Sequence, residues 1–569
     1  MIQVLASVYF CAAFLAAWLA MFFYPRSERT ESGVFGLFLS FLTLICWGVI
    51  PAGIFSLIKV PVQLFSMGTA YLATFFLLLG LIRKKGGRQE YKWELYDILT
   101  VVLMLALVLG IAFRYFTPEL RLRYWTSDAA VHMTYALNTY RNAEVFNMYF
   151  APLYNAMIVG ILSPFLNELT LYKGFMAADL SMFFLEAVMF LALTRAFLKN
   201  GWMKALGFFA AVLYVLGYPL YCYTDTFHYW GIGVMLIGYL IYVAHLYMEE
   251  AVEERAAVFM MMAGCTGLIL CYALFAPAAF LALFFCLLIK ARGKGNIFRK
   301  SNVLLALKIY ALPCLLGIYY CYIKLLTENA GGFSTAIANE GAIYREWYID
   351  FFWLFPLALF FLLYQIRRRK CNVRAVFLGV FGLYTAGMFV AAYTGNVSSY
   401  YYYKLYYPLW LLFWIVNVEA LAWLWENVRE MVVSFAAIYL AFALLCFGNV
   451  ENKLQERSPL LVNANRGNPF FALYLLNEEW LRRDWAQFEM PDGMFSLAEY
   501  VLERDGERIP FLTDIDQYPY CYWYEALTGQ DSSAYYGWFH PVDEQEEMWE
   551  SGGIDRVAVW KSSSYYQEN

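Results

Sequence analysis

The chain has 569 residues, of which 62% are hydrophobic, 20% aromatic and only 15% charged. Soluble domains carry about 25% charge, so this composition excludes an ordinary soluble protein and points to a polytopic membrane protein. The net charge of −4 hides a division: residues 451–569 hold 9 Lys+Arg against 22 Asp+Glu, net −13, and the remainder holds 32 against 23, net +9.

Helices that cross a bilayer need roughly 17–25 apolar residues, and on that rule the chain offers about fourteen spans. They fall at 2–24, 33–58, 60–82, 98–116, 171–198, 205–223, 231–248, 256–272, 274–289, 303–326, 351–366, 375–394, 405–425 and 431–448. The first run has no basic leader and no small-residue cleavage site, and reads as a retained span. The run 256–289 is too long for one helix at about 1.5 Å per residue, so it divides near Ala276-Pro277. The eleven cysteines are scattered without a C-x-x-C pair and read as small buried hydrophobes, not as disulfides or a zinc site.

Basic clusters set the orientation. Arg83, Lys84, Lys85 and Arg88, then Lys199 and Lys204, then Lys290, Arg292 and Lys294, then Arg367 to Lys370 all belong on the cytoplasmic side. The N-terminus, the segment around Asp128, the loops 224–229, 327–350 and 395–404, and the acidic tail then fall outside the cell membrane. An acidic tail gives nucleic acid no purchase. Its Arg508-Ile-Pro-Phe-Leu-Thr-Asp514 and Asp555-Arg-Val-Ala-Val-Trp560 read as strands, and Tyr520 to Leu527 as a helix stopped by Gly529. The expected fold is an all-α polytopic bundle with a small C-terminal α/β domain outside the membrane. Its parts are N-terminal spans at 1–97, a core at 98–448 with interfacial helices within 117–170, and the acidic domain at 449–569.

The segment from Arg114 to Tyr140 concentrates the chemistry. Arg114, Arg121 and Arg123 follow an apolar run, and Ser127-Asp128 then opens an amphipathic helix; a second such helix is expected at 153–165. Asp128 and His132 are four apart and share a face. Ser127 suits an N-cap and Asp128 suits the helix dipole; a carboxylate beside a bilayer with arginines nearby also suits a general base for a phosphate-bearing substrate. Asp225 and His228, in a later outer loop, join Asp128 and His132 as a conceivable divalent-metal set, with ordinary hydrogen bonding as the plainer role. In Gly395-Asn-Val-Ser-Ser-Tyr-Tyr-Tyr-Tyr-Lys404, the tyrosines suit an interfacial aromatic belt, and Tyr402 and Tyr403 also suit contact with a sugar face or lipid. Lys404 either snorkels to water or holds a lipid phosphate. Asp179 and Glu186, seven apart inside a span, are functional candidates by position alone. No glycine-rich nucleotide-binding loop is present.

An outer acid in a Ser-Asp-x-x-x-His segment, interfacial helices behind it, many further spans and a terminal outer domain resemble the GT-C membrane glycosyltransferases. That class includes protein O-mannosyltransferases and aminoarabinose transferases. The resemblance implies a polyprenyl-phosphate sugar as donor, Asp128 as base or metal ligand, and Lys404 with Arg121 or Arg123 as phosphate contacts. Three spans precede the one that leads into this loop, where many members have a single span. The expected activity is transfer of a sugar to a lipid-linked, glycan or protein acceptor; a transporter or flippase of lipid-linked saccharides is the alternative.

Overall fold

The computed structural model describes residues 2–27, 31–124, 126–145, 150–198, 201–224, 227–293, 299–324, 354–368, 372–434, 437, 485–504, 507–512, 514, 518–530, 540–552, 554–561 and 566. They form an all-α polytopic membrane protein. Eleven helices are long and apolar enough to span among these residues, or twelve if a bent pair counts as one. The expected run 205–223 is that pair, α8 (Gly201–Val215) and α9 (Tyr218–Thr224), with a 41° bend between its halves. The run 351–366 appears as α14 (Phe355–Arg367), whose 13 residues reach about 20 Å and fall short of a ~30 Å hydrocarbon core. The expected span 431–448 lies mostly outside the described residues.

Burial sorts the spans into centre and rim. α7 (Leu171–Phe197), α10 (His228–Met248) and α17 (Tyr406–Asn427) belong to spans that are 78% buried, whereas α1 (Ile2–Phe23), α3 (Leu64–Lys85) and α4 (Leu95–Phe116) are about one-third buried or less. The rim helices present Leu5, Phe65, Phe76 and Val102 outward, the arrangement expected where acyl chains replace water as solvent. α2 (Gly33–Leu57) joins the N-terminal helices to the core, since Thr43 Oγ1 lies 3.0 Å from the Tyr239 hydroxyl of α10. The 256–289 run divides as expected: α11 (Glu254–Cys271) ends at Tyr272, a short 3-10 turn follows, and α12 (Ala276–Gly293) starts with Pro277 in its first turn. Proline fits there because a first-turn N–H has no partner within the helix.

One end of the bundle is laced by ion pairs. Arg195 reaches Glu94 (2.8 Å) and Asp97 (2.9 Å), Lys204 reaches Glu94 (2.9 Å), and Arg374, on α15 (Val373–Tyr393), reaches Glu419 (2.7 Å). Buried Arg26 pairs with Glu31 (2.8 Å) beside the parallel pair β1 (Glu31–Ser32) and β2 (Tyr91–Lys92). Lys85 and Glu253 close the same end.

The opposite end carries α5 (Asp128–Asn142) and α6 (Ala151–Leu162). α5 buries Ala129, Ala130, Met133, Ala136 and Leu137, a one-sided helical stripe. Over it lies α19 (Tyr518–Thr528), which ends at Gly529 in the left-handed region, φ 72°. The described C-terminal residues also form α18 (Asp492–Leu502), α20 (Val542–Ser551) and a parallel pair, β3 (Phe511–Leu512) with β4 (Ala558–Val559). Trp523 stacks on Tyr124 at 5.8 Å and Met490 N–H donates to Leu122 C=O at 2.9 Å, so this piece is seated on the α4–α5 connection.

Candidate functional site

Asp128 and Lys404, 276 positions apart in sequence, come within electrostatic reach of each other. Lys404 ends the short helix α16 (Ser399–Lys404), whose start is capped by the Ser398 hydroxyl accepting from Tyr400 N–H at 3.2 Å. One helical turn places Tyr400 and Tyr401 on the face of Lys404. The Lys404 Nζ sits 3.7 Å from the Tyr400 ring centroid and 5.6 Å from Tyr401. Trp230 (5.0 Å) and Tyr229 (5.7 Å), from the first turn of α10, and Tyr272 (5.8 Å), at the α11–α12 break, complete an aromatic cage. The lysine is 5% exposed and forms no ion pair within 4 Å among the described residues. The expectation of a lysine at an open outer boundary therefore gives way to one enclosed by rings.

Asp128 stands in the first turn of α5, at the positive end of that helix's dipole. Ser127 makes no side-chain cap bond, and the Asp128 carboxylate makes no hydrogen bond or ion pair among the described residues. Asp128 is exposed to solvent, while Ala129 and Ala130 beside it are buried. Burial raises its carboxyl above the usual range, and Lys404 opposes that shift. His132, one turn along, packs edge-on against Tyr229 at 4.6 Å and Phe227 at 5.9 Å. Asp128 and Lys404 thus come together, with His132 against one cage wall.

The other expected residues stand elsewhere. Tyr402 is fully buried against Phe389 (5.5 Å) and Tyr406 (5.4 Å), and Tyr403 packs on Tyr406 (5.2 Å) and Tyr407 (6.4 Å). The tyrosines beside Lys404 are instead Tyr400 and Tyr401, and helical spacing was the signal that could have found them. Arg121 and Arg123 both hold Glu489, Arg121 at 2.7 Å, and thereby fasten the C-terminal segment to the α4–α5 connection. Burial pulls the Glu489 carboxyl up, but the two arginines outweigh it and hold it below the usual range. Asp225 lies outside the described residues, as does the loop 327–350 with Gly331 and Gly332. His228 opens α10, and its side chain is not among those described. Among the described residues no group of three or more His, Cys, Asp or Glu gathers as a metal site.

Sequence reasoning did not anticipate the cage walls Tyr229, Trp230 and Tyr272, which come from two helix ends distant in the chain. Nor did it anticipate an apolar cavity of 260 Å³ enclosed mainly by α1, α2, α3 and α6. Cys271 and Ile232 line that cavity, one and two residues from the cage walls Tyr272 and Trp230.

Fold and site together define a polytopic helical membrane protein with an exposed acid, Asp128, near a ring-enclosed lysine, Lys404, at one end of its bundle. The chain matches no family model, and no curated protein is similar to it.

Proposed function

We propose that this protein is an integral membrane glycosyltransferase of GT-C type. It moves a sugar from a polyprenyl-phosphate donor to an extracytoplasmic lipid-linked, glycan or protein acceptor. The observation that carries the reading is a carboxylate, Asp128, that makes no hydrogen bond or ion pair among the described residues and lies within electrostatic reach of the ring-enclosed Lys404. The two groups together suit a ligand with a hydroxyl for the acid and a phosphate for the lysine. The acceptor oxygen attacks the anomeric carbon, its proton passes to Asp128, and the sugar–phosphate oxygen bond breaks with the electron pair leaving on the lipid phosphate. Lys404 stabilises that developing charge as a point cation. Burial pushes Asp128 toward the working pH, where a general base is most effective. Tyr400 and Tyr401 offer faces for the sugar ring. The adjoining apolar cavity suits part of the prenyl chain, and the acidic C-terminal piece over α5 would belong outside.

The test is transfer by purified protein from a panel of radiolabelled polyprenyl-phosphate sugars, wild type beside Asp128→Asn. The expected result is transfer by wild type, reduced about 10²–10⁴-fold in the variant. Equal transfer by both removes Asp128 from the mechanism. Failure of wild type with every donor favours the transporter or flippase of lipid-linked saccharides, for which the buried acids Asp179 and Glu186 of α7 speak.

A further inference from the structure

A cavity at the other end of the bundle shares no residue with the Asp128–Lys404 site. α13 (Lys300–Gly317) follows α12 in the chain but packs mainly on α11. The two helices α12 and α13 meet at Tyr310, whose hydroxyl donates to Phe280 C=O at 3.0 Å. Toward the Lys290 end of α12 a cavity of 470 Å³ lies between them, within the ~300–1,000 Å³ usual for small-molecule sites. Phe284 and Leu287 of α12 and Val303 and Ala306 of α13 form its apolar walls. Phe284 and Val303 are 39% and 48% exposed, so the cavity opens at the rim of the bundle.

Charges of both signs line the same cavity: Lys290, Arg299 and Glu254. Lys290 is fixed in place, because its Nζ donates to Tyr247 C=O and stands 3.8 Å from the centroid of the Tyr247 ring, while Glu250 approaches it only to 3.9 Å. Arg299, just before α13, makes no side-chain hydrogen bond or ion pair among the described residues, and Glu254, the first residue of α11, forms no ion pair there. A void between helices forfeits dispersion contacts on its walls unless lipid fills it. A bare acyl chain would fill the apolar part and leave the charged part unanswered.

We infer that this cavity binds one phospholipid with a primary-amine headgroup, of the phosphatidylethanolamine class. Lys290 and Arg299 hold the phosphate, Glu254 accepts from the ammonium, and the start of one acyl chain lies between Phe284 and Val303. Lys290 and Arg299 against Glu250 and Glu254 leave this corner neutral overall, which suits a zwitterion better than an anionic lipid. A quaternary ammonium has no N–H for Glu254, so a choline headgroup forgoes the charge-assisted hydrogen bond that a primary amine makes. The lipid supplies the contact that α12 and α13 do not make with each other.

The experiment is equilibrium binding of radiolabelled phosphatidylethanolamine, phosphatidylcholine and phosphatidylglycerol to the full chain in detergent at fixed ionic strength. Wild type is expected to bind one phosphatidylethanolamine saturably and about tenfold more tightly than either other lipid, the size of one charge-assisted hydrogen bond. Glu254→Gln should erase that preference, and Arg299→Gln should weaken all three lipids about tenfold. Both variants change exposed side chains, and melting curves beside the binding curves establish that each is folded. Absence of saturable binding, equal affinity of wild type for the three lipids, or a preference kept in Glu254→Gln overturns the inference. Full displacement of the lipid by excess inorganic phosphate also overturns it and assigns the cavity to a free anion.

Discussion

Replacing Lys404 by methionine separates function from stability. The lysine is enclosed by five rings, with its Nζ 3.7 Å from the nearest ring centroid, and among the described residues Asp128 is the charged group in reach. Cation–π contacts contribute about 0.5–2 kcal/mol, but burying an ammonium without an ion pair costs several kcal/mol. Methionine has similar length, fills irregular space and makes sulfur–aromatic contacts of about 0.3–1.5 kcal/mol. Lys404→Met should therefore melt within a few degrees of wild type, or above it. On the proposed mechanism sugar transfer responds differently, because removing one preorganised charge from a leaving phosphate costs about 10²–10³-fold in rate. The Asp128 carboxyl, raised by burial and held back by Lys404, rises further once the lysine is gone. A base must be ionised to act, so the acid limb of the rate profile moves to higher pH in the variant. Sugar transfer measured across the acid-to-neutral range beside a melting curve reads both effects. Wild-type turnover in Lys404→Met, or a loss no larger than the unfolded fraction, refutes the assignment.

Four further outcomes are expected. Asp128→Asn should melt higher than wild type at neutral pH and equally in acid. The raised carboxyl's contribution to stability is present below its unfolded pKa and is lost as pH rises through its folded value; a difference that grows toward low pH contradicts this. Glu489→Gln should loosen the C-terminal segment by about 1 kcal/mol or less, screened by salt. In wild type that clamp fails as pH falls through the depressed Glu489 value, which proteolysis of the C-terminal segment against pH reads out. Tyr400→Ala should lower transfer while melting stays close to wild type, whereas Tyr402→Ala, emptying a fully buried site, should cost about 3–5 kcal/mol. Ala143 ends α5 with φ 54°, so Ala143→Gly should stabilise by about 1 kcal/mol, read as a raised melting midpoint.

Span positions were legible because continuous apolar runs need no tertiary information. The break before Pro277 and the stop at Gly529 follow from local rules on proline and glycine, and the structure holds both; α5 starts at Asp128 as expected, but without the side-chain cap bond from Ser127. The bend after Val215 was not legible, since an apolar run records length and not direction. Asp128 and Lys404 stood out separately as charges at span ends, but their proximity depends on how α5, α10 and α16 pack. Tyr402 and Tyr403 were chosen by adjacency to Lys404, where one helical turn puts Tyr400 and Tyr401 on its face. Arg121 and Arg123 read as phosphate contacts because their acid, Glu489, lies over 360 positions away in the chain.

Buried Lys404 is costly by the standards of packing. Lys404 sits among Tyr229, Trp230, Tyr272, Tyr400 and Tyr401 without a hydrogen bond or ion pair among the described residues, and Asp128, within electrostatic reach, has neither. If both were structural, a direct ion pair or an apolar substitution would stabilise the fold more. The surrounding protein shows what structural charges look like here: Arg195, Lys204 and Arg374 each meet a carboxylate within 3 Å. On the function proposed above, the end of the bundle where these rules are broken is where a ligand would complete the electrostatics. A ligand that brings both an anionic group and an ionisable hydroxyl satisfies the two charges at once, and a phosphate-linked sugar meeting an acceptor alcohol is such a pair.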